Sequence, residues 1–359
     1  MMGYGNFTPN ELKKQESGKN MNVSVELGKI TDKINGRSNV ENIENMMQLL
    51  YLKLTSPKKD EEAFMRWKNN YRTQIDNIYA KPEIFFIDTF ATVKYNDNPL
   101  FVGIPGAEDL KELHLKRMIE IYKSEFGYAD GYHFFMTGNI DTTKLLPLLE
   151  LYLGSLPQSG IAAVCKDNGV RPITGVNKFT IYKGKEKKSH IISEYYGDID
   201  YSEGTERNMK AMADILNMKV LQNLREKMSD IYTGGFSASI LTYPNIHYSI
   251  TLSLPCGPEH VQELLAAADN EISNMKNNGP TQEDLQKVKV QLYEKNQLNL
   301  KENSYWNTEL EKILYSHKSK DNFINYKAFI DVMSVADIQS TARQVFDGKN
   351  VLTGILMPE

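Results

Sequence analysis

The sequence predicts an α+β fold of two domains of the same design, each a mostly antiparallel sheet with helices packed on one face, the first incomplete at its amino end. Three observations predict it. Segments such as "MNVSVELGKI" from Met21 and "IHYSITLSL" from Ile246 alternate apolar and polar residues with the period of half-buried strands. Helical patterns come in pairs rather than singly between strands, which disfavours a doubly wound parallel sheet. The succession also recurs: residues 38–75 and 256–298 each run from an apolar-periodic helix, through Pro57 or Pro280, into a second helix opened by Asp60 and Glu61 or by Glu283 and Asp284.

The remaining elements follow in the same order in both halves. Residues 105–140 read as a helix opening at Glu108 and Asp109 that leads into a strand, and residues 333–359 as a helix opening at Ala336 and Asp337 before the last strand. Residues 153–175, "LGSLPQSGIAAVCKDNGVRPITG", are rich in Gly, Pro and small side chains and read as a connection. The expected domains are therefore 1–160 and 178–359, with a linker at 161–177. The second begins with a strand pair over 178–200, whose "KGKEKKSH" centre reads as a hairpin turn with solvated lysines, followed by a helix over 206–228. The first half has no counterpart of this opening, so its domain is expected to be cut short at the amino end.

Charge and composition remove several classes of function. With 42 Lys and Arg against 46 Asp and Glu, the net charge of -4 offers no basic footprint for nucleic acid or an anionic membrane. No apolar run is long enough to span a bilayer. Cys165 and Cys256 form no C-x-x-C pair, and their number is too small for a disulfide framework.

None of His114, His133, His190, His247, His260 and His317 has another histidine three to five residues away, so neither H-E-x-x-H nor H-x-x-E-H is present. His260 in "HVQEL" reads as a first-turn helix residue, and Ser237 in "GGFSAS" as a strand serine without the second glycine of G-x-S-x-G. Cys256 in "LPCGP" reads as a small buried hydrophobe. Neither a Walker loop nor G-x-G-x-x-G occurs.

One succession stands out: a helix, "LREKMSDIYTGGFSASI", an alternating strand, then the "PTQEDLQKVK" helix. With "FFMTGNIDTTKLLPLLELYLGSLP" (134–157) and the opening "MGYGNFTPNELKK", it resembles the carboxyl-terminal half of the pitrilysin or insulinase family of inverted zincin metallopeptidases, over nearly the whole chain. The resemblance implies LuxS/pitrilysin-like domains, and a parent protein whose two halves close around a peptide substrate. The amino-terminal half, beyond this chain, would carry H-x-x-E-H and bind zinc; this chain would hold no metal and have no peptidase activity alone.

The family's carboxyl-terminal half supplies an arginine and a tyrosine spaced R-x6-Y, and Arg225 and Tyr232 stand at that spacing. A guanidinium can grip a carbonyl or carboxylate, and a phenol can donate to the oxyanion of a tetrahedral intermediate. On residue type alone, Arg225 equally reads as a charge capping its helix and Tyr232 as a half-buried strand aromatic. The resemblance also admits a non-catalytic scaffold, or an inactive subunit paired with a zinc-bearing one. Nothing in the sequence sets the compartment, although an exported parent is compatible with it.

Overall fold

The computed structural model describes residues 3–28, 30–101, 103–161, 165–227 and 234–359, with the backbone alone described at 76 and 221–227. Two compact units arise: residues 1–77 with 104–165, and residues 78–103 with 166–359. The elements in chain order are α1 (Pro9–Glu16), β1 (Met21–Glu26), β2 (Lys33–Ser38), α2 (Ile43–Thr55), α3 (Glu61–Tyr79), α4 (Pro82–Lys94), α5 (Leu115–Phe126) and α6 (Thr142–Tyr152). They continue with β3 (Gly175–Tyr182), β4 (Ser189–Asp198), α7 (Glu203–Lys227), β5 (Gly235–Leu241), β6 (His247–Cys256), α8 (Val261–Asn277) and α9 (Gln282–Asn299). The chain closes with α10 (Asn303–Leu314), α11 (Lys320–Ile324), α12 (Tyr326–Asp331), α13 (Val335–Val345) and β7 (Asn350–Met357).

Helix starts follow local chemistry. Thr8 with Glu11, Thr281 with Asp284 and Ser334 with Asp337 form reciprocal capping boxes at α1, α9 and α13. Each satisfies backbone donors that the first helical turn leaves without partners. Asp60 does the simpler half of this task at α3, accepting from the Ala63 amide at 2.9 Å. The acidic residues read from the sequence as helix openings at Asp60, Asp284 and Asp337 thus act as caps.

In the first unit, β1 and β2 form an antiparallel hairpin in the register Met21↔Ser38 to Glu26↔Lys33. Met46, Met47 and Leu49 of α2 pack with Val23 of β1 and Leu12 of α1. The Tyr122 hydroxyl of α5 donates to the Lys53 carbonyl of α2 at 2.9 Å. Two sequence expectations are corrected here. The helix expected from Glu108 starts at Leu115, because the Asp109 carboxylate instead accepts the Gly106 amide at 2.7 Å and holds residues 107–112 in turns. The strand expected before Ile140 is not formed, since residues 132–137 lie outside both sheets. Its apolar residues pack without a ladder: Met136 and Tyr132 lie against two buried clusters of this unit.

The second unit is built on a five-stranded sheet in the order β3-β7-β4-β6-β5, in which β3 and β7 are parallel and the other neighbours antiparallel. The "KGKEKKSH" segment is therefore not a hairpin turn, because β7 lies between β3 and β4. The reason lies in side-chain pattern. Strand β7, "NVLTGILM", buries Leu352 and Leu356 on one face and Ile355 on the other, so it is stable only inside the sheet. Strand β3 alternates half-buried and exposed residues, and tolerates an edge.

Each face of this sheet carries its own core. On one, Ile191, Ile250, Leu252 and Leu254 meet Met212, Ile215 and Leu216 of α7, Leu264 of α8 and Ile338 of α13. Every such aliphatic side chain contributes about 1.5–3 kcal/mol on full burial. On the other face, Phe86 and Phe90 of α4 pack on Ile192, Tyr196, Leu352 and Leu356. Gly354 makes room for them: a Cβ there would stand 2.8 Å from Phe179 and Phe90 and 3.0 Å from Phe86.

Polar contacts fix α4 in place. Lys94 pairs with Glu194 of β4 at 2.7 Å, with side chains only 14% and 9% exposed, and Ser249 of β6 donates to the same carboxylate. The Lys94 ammonium also lies 5.6 Å from the Tyr196 ring centre, and its carbonyl accepts the Ile173 amide at 2.8 Å. A buried pair so supplied with extra bonds is costly to break from one side.

Two outcomes are expected. Gly354→Val should destabilise the protein by about 1–3 kcal/mol through overpacking beneath α4, read as a lower urea midpoint; an unchanged midpoint would mean the phenylalanines do not fill this hollow. His190, beside Phe86 with its Nε2 2.8 Å from Ser253 Oγ, has its pKa lowered by burial, with Glu83 opposing. The unfolded state then binds the proton more readily, so stability present above the ordinary histidine value of about 6.5 is lost as pH falls below it. Urea midpoints at pH 7.5 and 5.5 should differ less in His190→Gln than in the wild type, and equal differences would refute this.

Candidate substrate-contact site at the α7 to β5 junction

Helix α7 opens at Glu203, whose carboxylate accepts the Ser319 amide at 2.7 Å and the Asn322 side chain at 3.0 Å. One turn on, Glu206 takes Lys210 and Lys318, each at 2.6 Å. Burial opposes ionisation of Glu206, but hydrogen bonds from the two lysines prevail and hold it at about 2. Further along, Lys219 bonds Asp284 at 2.8 Å and ties α7 to the capping box of α9. Burial raises the Asp284 pKa, yet the bonds from Lys219 and Thr281 leave it below the usual carboxylate value.

Arg225 lies on the last turn of α7, where the backbone alone is described. Tyr232 lies outside the described residues. What the structure does describe is how the chain is held on either side. Gly234 and Gly235 adopt φ of +108° and +144°, and β5 then begins as an edge strand of the sheet. The Asn217 side chain, two turns before Arg225 on α7, grips Phe236: it accepts the Phe236 amide and donates to the Phe236 carbonyl at 2.8 Å.

The glycine pair has a steric reason. A Cβ on Gly235 would overlap the Asn217 side-chain oxygen, and one on Gly234 would overlap the Ser253 carbonyl of β6. Both positions also require backbone angles that side chains disfavour. Asn217 was not among the residues read from the sequence. Its signal was a mid-helix asparagine beside the apolar Ala213, Leu216 and Val220, where a better helix former would be the default.

The other titratable candidates are placed elsewhere. Cys256 is buried at the end of β6, and burial, with Glu259 nearby, pushes its thiol up to about 11; a thiol so raised is a poor nucleophile. His260 is 3.6 Å from Glu259. Among the described residues no group of three or more His, Cys, Asp or Glu could hold a metal ion, and no helix is long and apolar enough to cross a membrane. The described residues therefore do not fit a zinc centre.

Residues 128–292 match the family model described as the peptidase M16 inactive domain. A zinc protease PQQL-like protein of Arabidopsis thaliana is 22% identical over 298 residues, covering 77% of this chain and 30% of the plant protein. The periplasmic protease PqqL of Escherichia coli superposes with a TM-score of 0.83 at 17% identity, over 99% of this chain and 39% of that one. A peptidase M16 inactive domain from Pseudomonas fluorescens gives 0.80 at 13% identity, over 99% of this chain and 85% of that one. These superpositions are likenesses of fold. The chain spans about a third of the length of the plant and E. coli proteins.

Gly235→Ala is expected to cost about 1–3 kcal/mol, by displacing Asn217 and by straining the backbone. Urea denaturation checks it, and an unaltered midpoint would show that the close approach at Gly235 is dispensable.

Proposed function

We propose that the chain, whose residues 128–292 match the peptidase M16 inactive domain, is the zinc-lacking, carboxyl-terminal half of a pitrilysin-like zinc metallopeptidase. The match over residues 128–292 carries the reading, since it encloses both Arg225 and Tyr232. The chain forms one wall of a chamber that takes peptides small enough to be enclosed. Its partner is the amino-terminal catalytic half of the same protein, which binds the zinc. On this reading the chain itself carries no metal.

In this proposal the work of the chain is recognition and charge stabilisation. The guanidinium of Arg225 binds a carbonyl or carboxylate of the peptide, its fork of donors suiting a planar acceptor. The phenol of Tyr232 donates a hydrogen bond to the oxygen that gains charge when the scissile carbonyl becomes tetrahedral. The tie between Lys219 and Asp284 supports this role by holding α7, which carries Arg225, against α9.

The test is hydrolysis of a quenched peptide library by the full-length protein with zinc. Tyr232→Phe and Arg225→Ala should each lower turnover at least about tenfold, a barrier of about 1.4 kcal/mol, with circular dichroism unchanged. Wild-type turnover in both variants would remove the two residues from substrate contact. A wild type without peptidase activity would favour a scaffold role.

A further inference from the structure

We propose that the first unit holds an acceptor slot for one β-strand, bounded by β2 and by residues 132–137, and that the strand comes from the segment of the parent protein preceding this chain. The second unit supplies the template. There the hairpin of β5 and β6, a tight helical turn at Pro258–His260 and the pair α8 and α9 are followed, after shorter helices, by α13 and β7. The first unit repeats the order with β1 and β2, a tight turn at Val40–Asn42, α2 and α3, then α5 and residues 132–137. In the second unit β4 stands between β6 and β7, antiparallel to both. The first unit shows no such strand: β2 pairs with β1 and has no strand on its other side among the described residues.

Residues 132–137 have the shape of a strand without the ladder. The Tyr132 and Phe134 rings meet edge-on at 5.9 Å, and those of His133 and Phe135 stack at 6.5 Å. Contacts between residues two apart, alternating from side to side, mark an extended backbone. Tyr132 and Met136 pack against buried clusters on which Ile34 of β2 also packs. Phe134 shares their side of the segment and is nonetheless 42% exposed. Strand β7, the counterpart of this segment, has a strand on each edge, which explains why the same alternation builds a ladder there and none here.

The slot selects its occupant. Val23, Val25 and Ile34 turn toward the clusters, while Asn22, Ser24, Glu26, Asn35 and Arg37 are exposed. A fitting strand carries apolar residues at alternate positions, toward α2 and Phe134, with polar residues between them. Its source follows from the repeat: β4 precedes β5 and β6 in the chain, so its counterpart precedes β1 and β2. The E. coli protease has room for such a segment, since this chain covers only 39% of it. The inference takes the parent protein from the function proposed above, but uses none of its peptidase chemistry.

Residue-resolved hydrogen exchange on the full-length protein tests it. In an antiparallel ladder successive residues turn their backbone groups to one neighbour and then to the other, so a hairpin alone leaves alternate amides of β2 unprotected. With the slot filled, every amide from Ile34 to Arg37, and alternate amides over Phe134 to Met136, should exchange at least about a hundredfold more slowly than an open strand. Fast exchange at alternate β2 amides would overturn the inference. Phe134→Asp puts a charge where the strand should lie, and should accelerate exchange over Ile34 to Arg37 as well as around itself. Acceleration confined to the neighbours of Phe134 would mean that no strand joins the two sides. Should that variant fail to fold, Phe134→Ser reads the same comparison. Protection lost on dilution would assign the slot to a second copy of the chain and refute the upstream strand. No readout depends on turnover, so failure here leaves the proposed function standing, and an inactive wild type leaves the slot standing.

Discussion

Burial of the last strand on both faces is the constraint from which the second unit follows. Strand β7 puts Leu352 and Leu356 on one side of the sheet and Ile355 on the other, so it needs a strand on each edge and a packed layer on each face. Strands β3 and β4 supply the edges. Helices α7, α8 and α13 supply one layer, and α4 supplies the other. The α4 layer is possible only because Gly354 leaves a hollow at the strand's centre.

This arrangement explains why so few polar side chains matter so much. Glu194 is buried within the sheet and would be costly there without Lys94 and the Ser249 hydroxyl. Asn217 does comparable work at the edge of the sheet, where β5 has no outer neighbour among the described residues. One side chain satisfies a buried charge and the other satisfies an open edge; both replace partners that the ladder itself does not supply. The site proposed for substrate contact adjoins the second of these, at a place where the fold's regular hydrogen bonding ends.

Much of this was legible because it is local. Helix starts at Asp60, Asp284 and Asp337 could be read directly, since a cap depends on residues three apart. The apolar face of α7 and the alternation of β6 were equally plain. Misreadings came where the same local signal serves two ends: Asp109 caps a turn rather than a helix, and the apolar residues near Met136 pack without forming a ladder. The "KGKEKKSH" segment looked like a hairpin because two strands flank it, and no neighbouring residue reveals that a third strand enters between them.

By itself the sequence determined the α+β class, the recurring helix pairs and the caps, because periodicity and capping are properties of nearby residues. Only the tertiary structure decided that β7 is central, that α4 closes the second face and that Asn217 reaches Phe236. Those facts join residues far apart in the chain, and they depend on which surfaces are left uncovered once every other element has packed.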